Sequence, residues 1–143
     1  MNRVILTALI TVFIFGCSNP EAEKVAALKK ECIDIHDEVM PQWQDIALMS
    51  GELQKWSAAL AEADTIDSIA QLKTQINESA ILLDSAYDSM GDWMSNYKPD
   101  LDQSQSIDSA LSYYKSEKQR VTAVNTLMKL SIENGEQILA NKP

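Results

Sequence analysis

The sequence predicts an all-α protein, an antiparallel three-helix bundle whose first helix is kinked by a proline. Apolar residues recur at intervals of three, four and seven over most of the chain, which is the spacing of a helix face and not of a strand. The chain contains only 4 glycines and 4 prolines, and most of them lie near predicted turns. Few interruptions and short connections are typical of antiparallel helices packed side by side.

The first sixteen residues have the pattern of a signal peptide, which is removed from the mature protein. Arg3 gives a positive start, and residues 4–15 form an uncharged apolar run, shorter than the roughly 20 residues that a bilayer crossing needs. The run ends in Ile14-Phe15-Gly16-Cys17, which resembles a bacterial lipobox. The resemblance implies cleavage before Cys17 and attachment of diacylglycerol and palmitate to it, and Ser18 then favours the outer membrane. An ordinary signal peptide or an N-terminal anchor is the alternative.

We therefore divide the chain into a lipoprotein signal peptide at 1–16, a lipidated tether at 17–22 and one bundle domain at 23–143. The 12 basic and 21 acidic residues give a net charge of −9, and this balance disfavours nucleic acid and anionic lipid head groups as partners. The lipid on Cys17 would then be what holds the protein to the membrane of the cell envelope.

The first predicted helix runs from about Pro20 to Ala63 and is interrupted by Pro41. Proline lacks the N–H that would bond the carbonyl four residues earlier, so either a kink or a break is expected there. The apolar positions of this helix are Val25, Leu28, Cys32, Ile35, Val39, Ile46, Leu53, Trp56 and Leu60. A turn with good helix-capping residues follows at 64–67.

The second helix is predicted to end before Pro99, because a proline biases the preceding residue away from helical geometry. The third is predicted to begin at Asp100, since Asp100 and Gln103 have the spacing of a capping box. Gly135 fits a left-handed cap that would end this helix, but Ile138 and Leu139 keep the helical phase and would extend it. The second helix presents Ile69, Leu72, Ile76, Leu83, Tyr87, Met90, Met94 and Tyr97, and the third presents Ile107, Leu111, Tyr114, Val121, Met128 and Ile132.

Folding the first two helices back on each other brings two methionine-containing stretches to one level of the bundle. A turn near residues 64–65 puts His36 level with Met94, and Met40 level with Met90. A second turn centred near Asp100 would bring an apolar wall from the third helix to the same level. The residues of that predicted wall are Ile107 and Leu111.

These side chains predict a site for a soft monovalent metal, Cu(I) first. Thioether sulfur and imidazole nitrogen suit Cu(I), whereas harder ions prefer carboxylate oxygen. Trp93 or Trp43 would cap the ion through a cation–π contact, and Asp37 or Glu38 would orient the imidazole. The predicted ligands are His36, Met40, Met90 and Met94, with Cys32 and Trp93 as additional candidates.

Two other interpretations of the same residues stay open. Methionines at helical spacing are common as flexible core filler, a lone histidine is common at a core edge, and Cys32 would then be a small buried hydrophobe. Cys32 also remains a candidate for an intermolecular disulfide. Alternatively, a groove beside Pro41 would suit another helix, which makes the protein a helical adaptor or structural lipoprotein that docks another envelope protein without a metal.

The sequence argues against an enzyme. A single histidine excludes a zinc site with several histidines, and the chain contains no HExxH, Gly-x-Ser-x-Gly or P-loop motif. Acidic residues are plentiful, and we expect them on solvent-facing positions. We therefore expect a non-catalytic binding role with no catalytic residue.

Besides the lipobox, two short motifs in the chain resemble those of a known group of proteins. The HDEVMP stretch at 36–41 and the MGDWM stretch at 90–94, together with the lipobox, resemble a group of small helical bacterial lipoproteins often labelled "viral A-type inclusion protein". The resemblance covers most of the mature chain and implies a helical, envelope-anchored protein. The group carries no established activity, so the resemblance implies nothing about chemistry.

Overall fold

A computed structural model of the protein describes residues 19–61 and 67–143. The described chain is helical with no strand, so the all-α class is confirmed. The predicted signal peptide, Cys17 and the start of the predicted turn at 64–66 lie outside the described residues. The elements are α1 (Pro20–Val39), a 3-10 turn (Met40–Gln42), α2 (Trp43–Ala61), α3 (Asp67–Asn96), a 3-10 turn (Leu101–Gln103) and α4 (Ile107–Leu139).

Pro41 divides the predicted first helix into α1 and α2. The Met40 N–H still bonds the His36 carbonyl, and the Trp43 N–H bonds the Met40 carbonyl across a single 3-10 turn. The backbone of Val39, Met40 and Trp43 remains in the right-handed helical region. The two helices therefore form one bent rod, which is the interruption that a proline in a helix interior predicts.

The predicted start of the third helix at Asp100 is wrong. Gln103 Nε2 donates to Asp100 Oδ1 at 3.0 Å, but this contact joins two side chains and closes only a short 3-10 turn. In a capping box the second side chain would instead bond the backbone N–H of the first residue. The long helix α4 begins at Ile107, where the Ser106 hydroxyl accepts from the Ser109 N–H at 3.3 Å.

At its other end, α4 continues through Gly135 to Leu139. No glycine of the described chain has a positive φ, so Gly135 forms no left-handed cap. Ile138 and Leu139 pack against the main core, and their burial favours the extended helix.

Three rods pack together: the bent α1–α2 rod, α3 and α4. Lys29 pairs with Asp102, Glu38 with Lys129 and Glu52 with Lys142, so residue numbers rise together along the α1–α2 rod and α4. These two rods are therefore parallel, and α3 runs antiparallel to both. The fully buried side chains of the main core include Cys32, Val39, Ile46, Leu53, Ile76, Leu83, Met90, Val121 and Met128.

The predicted apolar wall from the third helix is also wrong. Ile107 and Leu111 pack in a second cluster, around Val25, Ala110 and Tyr114, instead of beside the methionines. The connection between α3 and α4 extends from residue 97 to 106 and includes a 3-10 turn, so α4 begins later than a turn centred at Asp100 would allow. The residues of α4 that belong to the main core or pack against it are Val121, Val124, Leu127, Met128, Ile132, Ile138 and Leu139.

Candidate functional site

Contacts between the bent rod and α3 confirm the predicted level of the hairpin. The ring centroids of His36 and Trp93 are 5.5 Å apart, and the two rings are tilted by 35°. Further along the same interface Trp43 stacks on Tyr87, with centroids 4.7 Å apart. His36 therefore lies beside the MGDWM stretch, as the position of the first turn predicts.

The three predicted methionine ligands belong to one cluster. Met90 is fully buried and belongs to the main core, which also contains Cys32 and Val39. Met40 and Met94 are partly buried and pack against that same core. Their intermediate burial agrees with a position on the flank of the apolar stripe, where a side chain contacts both the core and the solvent.

One ring nitrogen of His36 is already engaged. Nδ1 lies 2.8 Å from Asp37 Oδ1, and the side chain retains 18% of its exposure. Asp37 is thus one of the two carboxylates expected to orient the ring. When Nδ1 donates to that carboxylate, the neutral imidazole carries its lone pair on Nε2, which is the usual arrangement of a histidine that binds a metal.

Cys32 is a buried thiol. Its side chain has no exposure, and Sγ donates to the Tyr114 carbonyl at 3.6 Å. Burial, with the nearby carboxylates of Glu117 and Glu31, raises the pKa of the Cys32 thiol to about 11. The neutral thiol fits packing better than metal ligation, which needs a thiolate, and its burial argues against an intermolecular disulfide.

Trp93 lies deeper than a capping residue would. It retains 2% of its exposure and stacks on Tyr97 with centroids 4.7 Å apart, and Tyr97 in turn meets the edge of Tyr114 at 6.2 Å. Trp43 is partly buried, and its Nε1 donates to the Tyr87 carbonyl at 3.4 Å. Of the two tryptophans, Trp93 is the one whose ring faces His36.

Sequence reasoning missed a buried carboxylate. Glu117 retains only 4% of its exposure, so the expectation that acidic residues occupy solvent-facing positions is wrong here. One oxygen accepts from Arg120 Nη1 at 2.9 Å. The helical phase gave a signal, because Glu117 lies three residues after Tyr114 and four before Val121, both of which are core residues.

Asn125 was also missed, and it changes the role expected of Glu38. Asn125 Nδ2 donates to the Ile35 carbonyl at 2.9 Å and to Glu38 Oε2 at 3.0 Å. Hydrogen bonds from Lys129 and Asn125 lower the pKa of Glu38. The Glu38 carboxylate is therefore held by α4, and of the two carboxylates expected to orient His36 it is Asp37 that contacts the ring.

Among the residues that the structure describes, no three His, Cys, Asp or Glu side chains come together in a group that could hold a metal ion. None of the helices there combines the length and the hydrophobicity needed to cross a membrane.

No protein-family model matches the chain, and comparisons with curated proteins and with solved structures find no match either. The side chains of the site are therefore the only guide to its ligand. They include the His36 imidazole, whose Nδ1 is engaged by Asp37 and whose ring lies beside Trp93, and three thioethers that belong to the main core or pack against it.

Proposed function

We propose that the protein is a lipid-anchored lipoprotein of the bacterial cell envelope, attached through Cys17 to the outer membrane, with a non-catalytic binding role. Its proposed ligand is Cu(I), held between α1 and α3 by His36 and by thioethers of Met40, Met90 and Met94. The observation that carries the proposal is the His36 ring, which packs against Trp93 while Asp37 engages its Nδ1.

The donor set suits a soft monovalent ion. Thioethers and neutral imidazole have little affinity for hard cations, and they leave the single positive charge of Cu(I) in place. The ring of Trp93, which packs against the His36 imidazole, would help to hold that ligand in place. The ion would approach from solvent past three partly exposed side chains, those of His36, Met40 and Met94. Met90 is buried and would contribute its thioether from the core side.

Competition with a chromogenic Cu(I) chelator tests the site. We expect the mature protein to withdraw Cu(I) from the chelator, and the Met90→Leu/Met94→Leu variant to lose this ability. Met49→Leu is the matched control, because Met49 is another partly buried methionine of the same core and leucine nearly conserves its volume. Failure of the wild-type protein to compete, or an unchanged affinity in the double variant, would refute the metal site.

Metabolic labelling with an alkyne analogue of palmitate tests the anchor separately. We expect label and membrane association in the wild-type protein and neither in Cys17→Ser. Cys32→Ser is the control, since Cys32 is a buried core residue and is not expected to carry lipid. Equal labelling of the wild type and Cys17→Ser would contradict the proposed anchor.

A second candidate function is a helical adaptor or structural lipoprotein that docks another envelope protein and binds no metal. The observation that favours it is a groove between α2 and α3, whose first lining residue, Ala47, lies six residues after Pro41. Two large apolar side chains near it are exposed, Leu48 at 72% and Ile81 at 67%.

A further inference from the structure

The groove between α2 and α3 has a floor of small side chains. It encloses about 430 Å³ and is lined by Ala47, Ser50, Gly51, Gln54, Asp84, Tyr87 and Asp88. A Cβ added at Gly51 would meet nothing within 4 Å. Another helix can therefore approach this part of α2 closely.

Exposed apolar side chains border the groove on both helices. Leu48 precedes Gly51 by three residues on α2, and Ile81 precedes Asp84 by three residues on α3, so each lies beside a lining residue. Single exposed apolar residues are ordinary on protein surfaces. Leu48 and Ile81 do not line the groove themselves, but each precedes a lining residue by one helical turn and is exposed to a partner laid over it.

The wall on α3 is negatively charged. Asp84, Asp88 and Asp92 follow each other at intervals of four, so they form one stripe along the helix. Ser50 Oγ donates to Asp84 Oδ1 at 2.5 Å and Gln54 Nε2 donates to Asp84 Oδ2 at 3.1 Å, which fixes that carboxylate without neutralising it.

Within the described part of the chain, no lysine or arginine compensates this stripe. Among the described residues, none of the three aspartates forms an ion pair with a lysine or arginine. The lysine and arginine ion pairs instead lie along α1 and α4, between Lys29 and the α3–α4 connection, and between Lys142 and Glu52 of α2. Like charges four residues apart on a helix repel each other, so the three aspartates destabilise α3 slightly. Positive charges on a bound partner would offset this repulsion.

We propose that this groove binds a helical segment of another protein that carries Lys or Arg at intervals of four along one edge, next to an apolar stripe. This inference rests on the second candidate function, the helical adaptor, and specifies the kind of partner that it would bind. It does not depend on Cu(I) binding. A second copy of this chain is disfavoured, because symmetric pairing would oppose two acidic stripes. An anionic membrane surface is disfavoured for the same reason.

Site-specific photo-cross-linking in cells tests the occupant. A photoreactive amino acid is placed at exposed Leu48 on α2 of the full-length chain, which leaves the groove at Gly51 unfilled, and at exposed Ala26 on α1 as the control. We expect an adduct from position 48 alone, with a peptide that contains basic residues four apart. An adduct with a second copy, with lipid or with a segment lacking such basic residues would overturn the proposal, and so would the lack of any adduct specific to position 48.

A synthetic amphipathic peptide with lysines four residues apart, beside leucine and alanine, tests the chemistry in solution. We expect Asp88→Asn/Asp92→Asn to weaken its binding about three- to tenfold, from the usual size of exposed charge pairs. Glu133→Gln/Glu136→Gln, which removes the same charge from exposed positions of α4, should leave the binding unchanged. Equal weakening by both pairs, or equal binding of a peptide with glutamine in place of lysine, would refute a specific acidic wall.

Filling the groove provides an independent variant. Gly51→Leu should fold normally, since its side chain enters open space, and should weaken binding of the lysine peptide more than tenfold. Ala26→Leu is the control for added apolar surface, and unaltered peptide binding in Gly51→Leu would exclude the groove. Cu(I) affinity should stay unchanged in both variants, and Met90→Leu/Met94→Leu should still bind the peptide, so either proposal can fail alone.

Discussion

Replacing Gly135 by alanine should destabilise the protein, whereas the same change at Gly51 should stabilise it. A Cβ at Gly135 would overlap the Met49 sulfur and lie 3.1 Å from Leu83 Cδ1 and 3.2 Å from Met49 Cγ. A Cβ at Gly51 meets nothing within 4 Å. Both glycines lie inside helices without a positive φ, so alanine brings the same gain in helix propensity at each position.

The magnitudes follow from these two terms. Alanine in place of a helical glycine stabilises by about 0.5–1 kcal/mol, which is the whole effect expected at Gly51. An added methyl group in a filled core costs about 1–3 kcal/mol, so Gly135→Ala should lower the free energy of unfolding by about 0–2 kcal/mol. The difference between the two variants, about 1–3 kcal/mol, is the sharper quantity, because the propensity gain cancels.

Urea unfolding followed by circular dichroism measures both free energies. Repeating Gly135→Ala in a Met49→Ala background then identifies the cause, because the overlapping side chain is gone. In that background we expect Gly135→Ala to be close to neutral or stabilising, limited only by Leu83. If it stays as destabilising as in the wild type, the cost comes from the backbone of Gly135, as for a left-handed cap, and the packing explanation is refuted.

Three further predictions concern single contacts. Burial raises the pKa of the Cys32 thiol to about 11 and that of the Tyr114 hydroxyl to about 12, so both groups lose their protons at lower pH in the unfolded chain than in the folded one. The urea midpoint should therefore be constant up to about pH 9 and fall at higher pH. In Cys32→Ala the fall should be less steep, because one of the two groups is gone. Asn125→Ala should cost about 1–3 kcal/mol in urea unfolding, because it removes the donor to the Ile35 carbonyl and to Glu38; an unchanged midpoint would contradict that role. Tyr114→Phe should lower the free energy of unfolding by a similar amount, because the Tyr114 hydroxyl donates to Asp102 Oδ1 at 2.9 Å and so holds the α3–α4 connection. An unchanged thermal unfolding midpoint would show that this hydrogen bond does not stabilise the protein.

Periodicity predicted the helices, and a fixed helical rise predicted which residues of the first hairpin meet. His36 was expected beside the MGDWM stretch and lies against Trp93, because the level depends only on the length of the turn between α2 and α3. The same reasoning failed for Ile107 and Leu111. Their level depends on the α3–α4 connection, where the Asp100–Gln103 contact closes a short turn instead of starting a helix.

Buried polar residues were harder to predict than the stripe that surrounds them. Glu117 lies on the face of α4 that packs against the core, but we expected it to face solvent because it is charged. Its burial depends on Arg120, one turn later, which pairs with the carboxylate at the protein surface. Asn125 is likewise explained only by a carbonyl of α1, a partner ninety residues away in sequence. Such positions are decided by tertiary contacts, which periodicity does not contain.

The 3-10 turn at Pro41 has a structural consequence beyond the bend. An α-helix drifts by about 20° for every seven residues, so a strict seven-residue apolar stripe slowly turns away from its partner helices. Cys32, Val39, Ile46 and Leu53 keep that strict spacing across Pro41, and all four are fully buried. A 3-10 turn winds at three residues per turn instead of 3.6, which adds about 20° per residue and about 60° over three residues. This rotation offsets the drift accumulated over the three intervals between Cys32 and Leu53, which agrees with the full burial of all four residues before and after Pro41.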